Sequence, residues 1–99
     1  MTIIDNKLLR SLTGVGICEM CWEQKPLVPH HVQSRGPGGG SRVDAMFNLV
    51  RLCFKCHDDG HNGRIHFFAA KCWAIIDKRE GYTPGTAKEK TAEFLRTPK

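Results

Sequence analysis

Apolar residues recur at every fourth position near the start of the chain, at Ile4, Leu8 and Leu12. That spacing places them on one helical face and predicts a helix over residues 2–13, with Gly14 as its stop. Residues 27–33 have the residue types of a short strand, and Pro29 within them assigns that strand to an edge or an end. Residues 48–52 read as a second strand, although Leu49 and Val50 stand side by side instead of alternating. Residues 34–42, rich in glycine around Pro37, read as a loop. A brief helix is expected over 57–61, ended by Asn62-Gly63. Phe67, Phe68, Ala70, Ala74, Ile75 and Ile76 cluster around Trp73 and predict a helix over 65–78 that supplies much of the core. Gly81, Pro84 and Gly85 break it, and a last helix starts at Thr86, where Thr86 and Glu89 match a capping box, before a basic tail.

The length of 99 residues suits one domain, 1–99, with a margin of hydrophobic burial thin enough that a metal or disulfide staple is expected. The start of the chain lacks the basic and apolar regions of a secretory signal, and no stretch reaches membrane-spanning length. A soluble, cytoplasmic protein without a membrane partner is therefore expected. Five cysteines in a reducing compartment favour metal ligation over disulfides. The formal net charge of +5 favours an anionic partner.

Cys18, Cys21, Cys53 and Cys56 form two CxxC pairs, the arrangement that presents four thiolates to a tetrahedral Zn²⁺. Four thiolates fill that shell, so the site is expected to be structural, tying the ends of the hairpin to the following helix. Cys72 lies among Ala70, Trp73 and Ala74 and reads as core.

Four of the five histidines, His30, His31, His57 and His61, fall within one hairpin-and-helix unit. His57 and His61, at i and i+4, project from one helical face and can share a metal. Adjacent strand residues point to opposite sides, so His30 and His31 serve one site only if the strand ends or is distorted there, for which Pro29 offers a cause. His66 fits no pattern and is left as surface or core.

Pro29-His30-His31-Val32, Asn48-Leu49-Val50, Leu52-Cys53-Phe54-Lys55-Cys56-His57 and His61 together resemble the HNH endonucleases, in the branch with paired CxxC knuckles. The resemblance spans residues 18–63 and implies an α+β fold: a small ββα-metal domain with a structural zinc and flanking helices, the segment 64–99 adding C-terminal helices. It implies that His31, Asn48 and His57 are the three name-giving residues. His31 would be the general base that activates water, and His30, His57 and His61 the ligands of a catalytic divalent ion. Asn48 would brace the loop and orient the base through hydrogen bonding.

Many members of the family carry Asp where this chain has His30. An imidazole there softens the ligand set, so Mn²⁺ is expected to serve better than Mg²⁺, with Ni²⁺ or Co²⁺ as further candidates. The expected activity is hydrolysis of phosphodiester bonds in double-stranded DNA by nicking, with little sequence specificity. Arg35, Arg42, Arg51, Lys55 and Arg64 flank the site as candidate phosphate contacts. A monomer or weak homodimer is expected, working alone or beside other phage or restriction proteins of a bacterial host. The competing reading is a zinc-ribbon-like nucleic-acid adaptor, in which the histidines hold a second, closed structural metal.

Overall fold

The chain order is α1 (Asn6–Ser11), β1 (Gly14–Ile17), β2 (Gln24–His31), a 3-10 turn (Met46–Asn48), β3 (Leu49–Cys53), α2 (Phe54–His61), α3 (Phe68–Glu80) and α4 (Thr86–Arg96). The structure is a computed structural model that describes residues 3–33 and 42–96. Most of the glycine-rich segment, Arg35 included, and the last three residues of the basic tail lie outside the described residues.

The three strands form one antiparallel sheet in the order β1-β2-β3. β1 pairs Gly14 with Leu27 through Ile17 with Gln24, and β3 pairs with β2 from Leu27↔Cys53 to His31↔Leu49. β1 is the strand that sequence reading missed, because two of its four residues are glycine and its flanking apolar side chains, Val15 and Ile17, are exposed. At Gly16 a Cβ would lie 2.8 Å from a guanidinium nitrogen of Arg51, so the end of that side chain would have to shift.

β2 is the central strand, not the edge strand that Pro29 suggested. The reason lies in where its neighbours stop. Alternate residues of an antiparallel strand address opposite neighbours, and the bonds Cys18 N–H to Glu23 O and Val32 N–H to Asn48 O fix that alternation. Pro29 therefore faces the β1 side two residues after the pairing with β1 has ended at Leu27, and Pro26 faces the β3 side before β3 pairing begins. Neither proline removes a ladder hydrogen bond.

The helices also start and stop where local chemistry dictates. α1 is shorter than the predicted 2–13 because Asp5 caps it, its carboxylate accepting from Leu8 N–H at 2.9 Å. Ile3 is instead drawn into a parallel bridge with Val43, leaving Ile4 outside the helical stripe and exposed. α2 begins at Phe54, three residues before the expected start, with Cys53 at its N-cap, and ends at Asn62 and a left-handed Gly63. α3 starts at Phe68 and stops at left-handed Gly81. Phe67, expected in the core, is 82% exposed and left-handed itself. α4 begins at Thr86 as expected, and Asp77 of α3 accepts from Gly85 N–H and Ala87 N–H at its start.

The hairpin β2-β3 and α2 make a ββα unit, and α3 lays Cys72 and Ile76 against Leu27, Val50, Leu52 and Cys53 to form the core. Among the described residues no helix is long and apolar enough to cross a membrane.

Candidate metal centre

Two turns bring the cysteines together. Cys18 and Cys21 lie in the turn between β1 and β2, closed by Trp22 N–H to Cys18 O and by a left-handed Trp22. Cys53 and Cys56 lie at the junction of β3 and α2, where the Cys53 sulfur accepts from Cys56 N–H. All four Sγ atoms fall within 4.8 Å of one another, and Cys21 Sγ stands 3.9 Å from Cys53 Sγ. Sulfurs at tetrahedral zinc are separated by roughly 3.8 Å, given Zn–S bonds of about 2.3 Å, so this donor set fits that ion. Burial works against ionising Cys18, yet the backbone N–H groups of Cys21, Cys53 and Met20 outweigh it and bring the thiol down to about 7. Burial and the neighbouring thiols push Cys56 up. Four crowded sulfurs can all become thiolates only beside a cation.

The second cluster joins β2 to α2. His30 is 7% exposed, and its ring centroid lies 5.1 Å from that of His57 and 5.2 Å from that of His61. One donor nitrogen from each of the three falls within 4.8 Å of the others, and His57 Nε2 lies 3.1 Å from His61 Nε2. Two nitrogens bound to one zinc-sized ion at about 2.1 Å stand roughly 3.0–3.4 Å apart, so this set also fits a divalent cation. Burial, then the repulsion of His57, His61 and His31, pushes His30 down to about 4; burial and His61 lower His57 against the pull of Asp58. Both are thereby held as neutral imidazoles, the form that ligates.

Phe68 seats this cluster. Its ring centroid is 5.1 Å from that of His30, and it occupies the notch at Gly60, where a Cβ would collide with the Phe68 ring. The sequence signal for this contact was a glycine inside a helix, which is costly unless something needs the space.

His31 is the last residue of β2, and its ring leaves the strand in another direction from that of His30. Its Nε2 lies 2.7 Å from Oδ1 of Asp44, whose side chain is wholly buried. Asp44 Oδ2 accepts from Asp5 N–H at 2.8 Å and from the Arg42 guanidinium at 2.9 Å. Burial opposes its charge, but Asp5, His31 and Arg42 outweigh that and hold the carboxyl below its usual range. Sequence reading passed over Asp44, since a lone acid beside a loop looks like solvated surface.

Asn48 is fully buried; its amide oxygen accepts from Gln33 N–H at 2.8 Å and its nitrogen donates to Gln33 O at 3.2 Å and Val43 O at 3.0 Å. These bonds pin the two ends of the segment between β2 and the 3-10 turn. His31 Nε2 is hydrogen-bonded to the Asp44 carboxylate, while the Asn48 amide is bonded to Gln33 and Val43.

The basic candidates divide. Arg42 is turned inward to Asp44 and Asn6, and Arg51 donates to Leu12 O beneath the sheet. Lys55 and Arg64 are exposed on and beside α2, paired with Asp59 and with Asp58 and Asp59. Arg79, not foreseen, binds Glu19, Leu49 O and Met46 O and ties the first cysteine turn to β3.

Comparison with protein families matches residues 18–63 to the family described as HNH endonuclease. The matched segment contains both metal-ligand sets, His31, Asp44 and Asn48. No curated protein and no solved structure matches the chain.

Proposed function

We propose that the HNH domain formed by residues 18–63 makes this chain a divalent-metal-dependent DNA endonuclease, one that nicks duplex DNA with little sequence specificity. The observation that carries this reading is the meeting of three imidazole donors from a strand and a helix, with a fourth histidine at the same strand end backed by a buried carboxylate. Three protein donors form an incomplete shell, whereas a purely structural ion takes four. That difference favours a nuclease over a closed-shell adaptor.

His30, His57 and His61 would hold the ion, which when bound supplies positive charge to the scissile phosphate and to the leaving 3′ oxygen. His31 would take the proton of the attacking water, and its place at the end of β2 supports the reading that neighbours in one strand serve one reaction. Asn48 would keep the adjoining segment fixed during turnover. Exposed Lys55 and Arg64 would meet phosphates on the α2 side, exchanging their carboxylate partners for the backbone.

The all-imidazole set underlies the choice of Mn²⁺ over Mg²⁺, since magnesium favours oxygen ligands. One histidine cluster per chain cuts one strand.

Supercoiled plasmid incubated with a panel of metals is the test. Open circles are expected to appear before linear DNA, fastest with Mn²⁺, and to vanish with His31→Ala or His57→Ala. Robust cutting by the His31→Ala protein, or cutting in the presence of a strong chelator, would defeat the reading.

A further inference from the structure

We infer that Asp44 is a positioning residue for His31: it dictates which ring nitrogen carries the proton and which is left to accept one. The inference rests on reading His31 as the general base.

The argument is one of hydrogen-bond saturation. Asp44 Oδ2 accepts twice, from Asp5 N–H at 2.8 Å and from Arg42 at 2.9 Å, while Oδ1 has His31 Nε2 at 2.7 Å. A carboxylate has nothing to donate, so the short contact requires His31 Nε2 to be the donor. A neutral imidazole carries one N–H; with Nε2 committed, Nδ1 holds the lone pair. Nδ1 is therefore the nitrogen that can take a proton from water. The same logic orients the histidine of serine hydrolase triads.

The carboxylate is also prevented from turning. Its side chain is wholly buried, whereas that of His31 is 23% exposed. The backbone leading into it is held, by the Ile3–Val43 bridge, by Asp44 N–H to Ile3 O at 2.8 Å, and by Asn48 donating to Val43 O at 3.0 Å. Asn48 thus acts on the base through the peptide that carries Asp44. The segment before α1 becomes part of the device, since Asp5 N–H fills one of the carboxylate's sites.

Asp44→Asn is the discriminating variant. Its amide oxygen must face Asp5 N–H and Arg42, which turns the NH₂ group toward His31. That group donates, so Nε2 has to accept and the proton moves to Nδ1. Expected are a fall in kcat of roughly 10²- to 10⁴-fold with KM within about 3-fold. In the zinc-loaded protein at about pH 8, above the imidazole range, ¹⁵N NMR should report His31 as the Nε2–H tautomer, switching to Nδ1–H in Asp44→Asn. Arg42→Met, which leaves the Asp44–His31 contact, should keep the wild-type tautomer.

A purely structural Asp44 would alter the melting temperature of both variants without the switch. Wild-type protein with His31 in the Nδ1–H form overturns the inference without any variant, as does an Asp44→Asn protein whose kcat stays within 3-fold of wild type while His31→Ala is inactive. Should His31→Ala cut normally, the base assignment has failed; the tautomer measurement still reports separately on what Asp44 does to the ring.

Discussion

Asn48 makes three hydrogen bonds from one buried amide, and each goes to a backbone group that nothing else among the described residues is shown to serve from a side chain. Asn48→Ala strands the buried Val43 O away from water and removes both bonds to the Gln33 backbone, and an unmet buried polar group costs about 1–3 kcal/mol. A loss of about 2–4 kcal/mol in stability is expected, read as a lower urea midpoint at unchanged slope. Asn48→Asp should be worse than alanine despite its similar shape, because its second oxygen would face the carbonyls of Gln33 and Val43. If the two variants unfold alike, the amide does not hold these ends together. The contrast with Asp44 shows what a residue pattern can carry. The cysteine and histidine clusters are legible because the CxxC pairs and the i, i+4 histidines already stand close in sequence. Asp44 is not, because its partners come from positions 5, 31 and 42 and only folding brings them to one carboxylate.

Elements behave similarly: those with a local rule were legible and those set by packing were not. α2 and α4 could be placed approximately, since the helix-stopping Asn62-Gly63 and the break before Thr86 are local signals. β1 could not, for two of its four residues are glycine and its apolar side chains, Val15 and Ile17, face solvent. Phe67 and Phe68 look alike in sequence, yet the left-handed turn at Phe67 puts one in solvent and the other against His30. That contact gives Gly60 its meaning. Gly60→Ala would raise intrinsic helix propensity by about 1 kcal/mol, but its methyl group would collide with the Phe68 ring. Overpacking of this kind costs typically 1–3 kcal/mol, so the variant is expected to be neutral or destabilised and to weaken metal binding as α2 shifts from His30. Adding Phe68→Ala should restore part of the metal affinity by emptying the notch. Titration of both proteins with Co²⁺, followed by its visible absorption, checks this; a Gly60→Ala protein that binds as wild type does would show that Phe68 does not set the helix position.

At the scale of the molecule, one eight-residue helix contributes to both clusters that could hold a metal, with Cys56 turned inward and His57 toward the histidine cluster. The two sets nevertheless carry different loads. Zinc held by the four cysteines would join the β1-β2 end of the sheet to the start of α2, and binding of structural zinc contributes apparent free energies of about 10–16 kcal/mol in small domains. That equals or exceeds the whole stability of about 5–15 kcal/mol typical of a domain. Cys56→Ser should therefore lose its cooperative thermal transition and, with it, DNA cleavage. His57→Ala, which removes one half-exposed donor from a set already short of a full shell, should retain wild-type far-UV circular dichroism and one tightly held zinc per chain while cleavage disappears. Graded chelation of the wild-type protein should show the same order, activity being lost before structure. A protein that unfolds as soon as the histidine-bound ion is removed would assign the stabilising load to the wrong site, because three imidazoles on one side of α2 would then be holding what the four thiolates are built to hold.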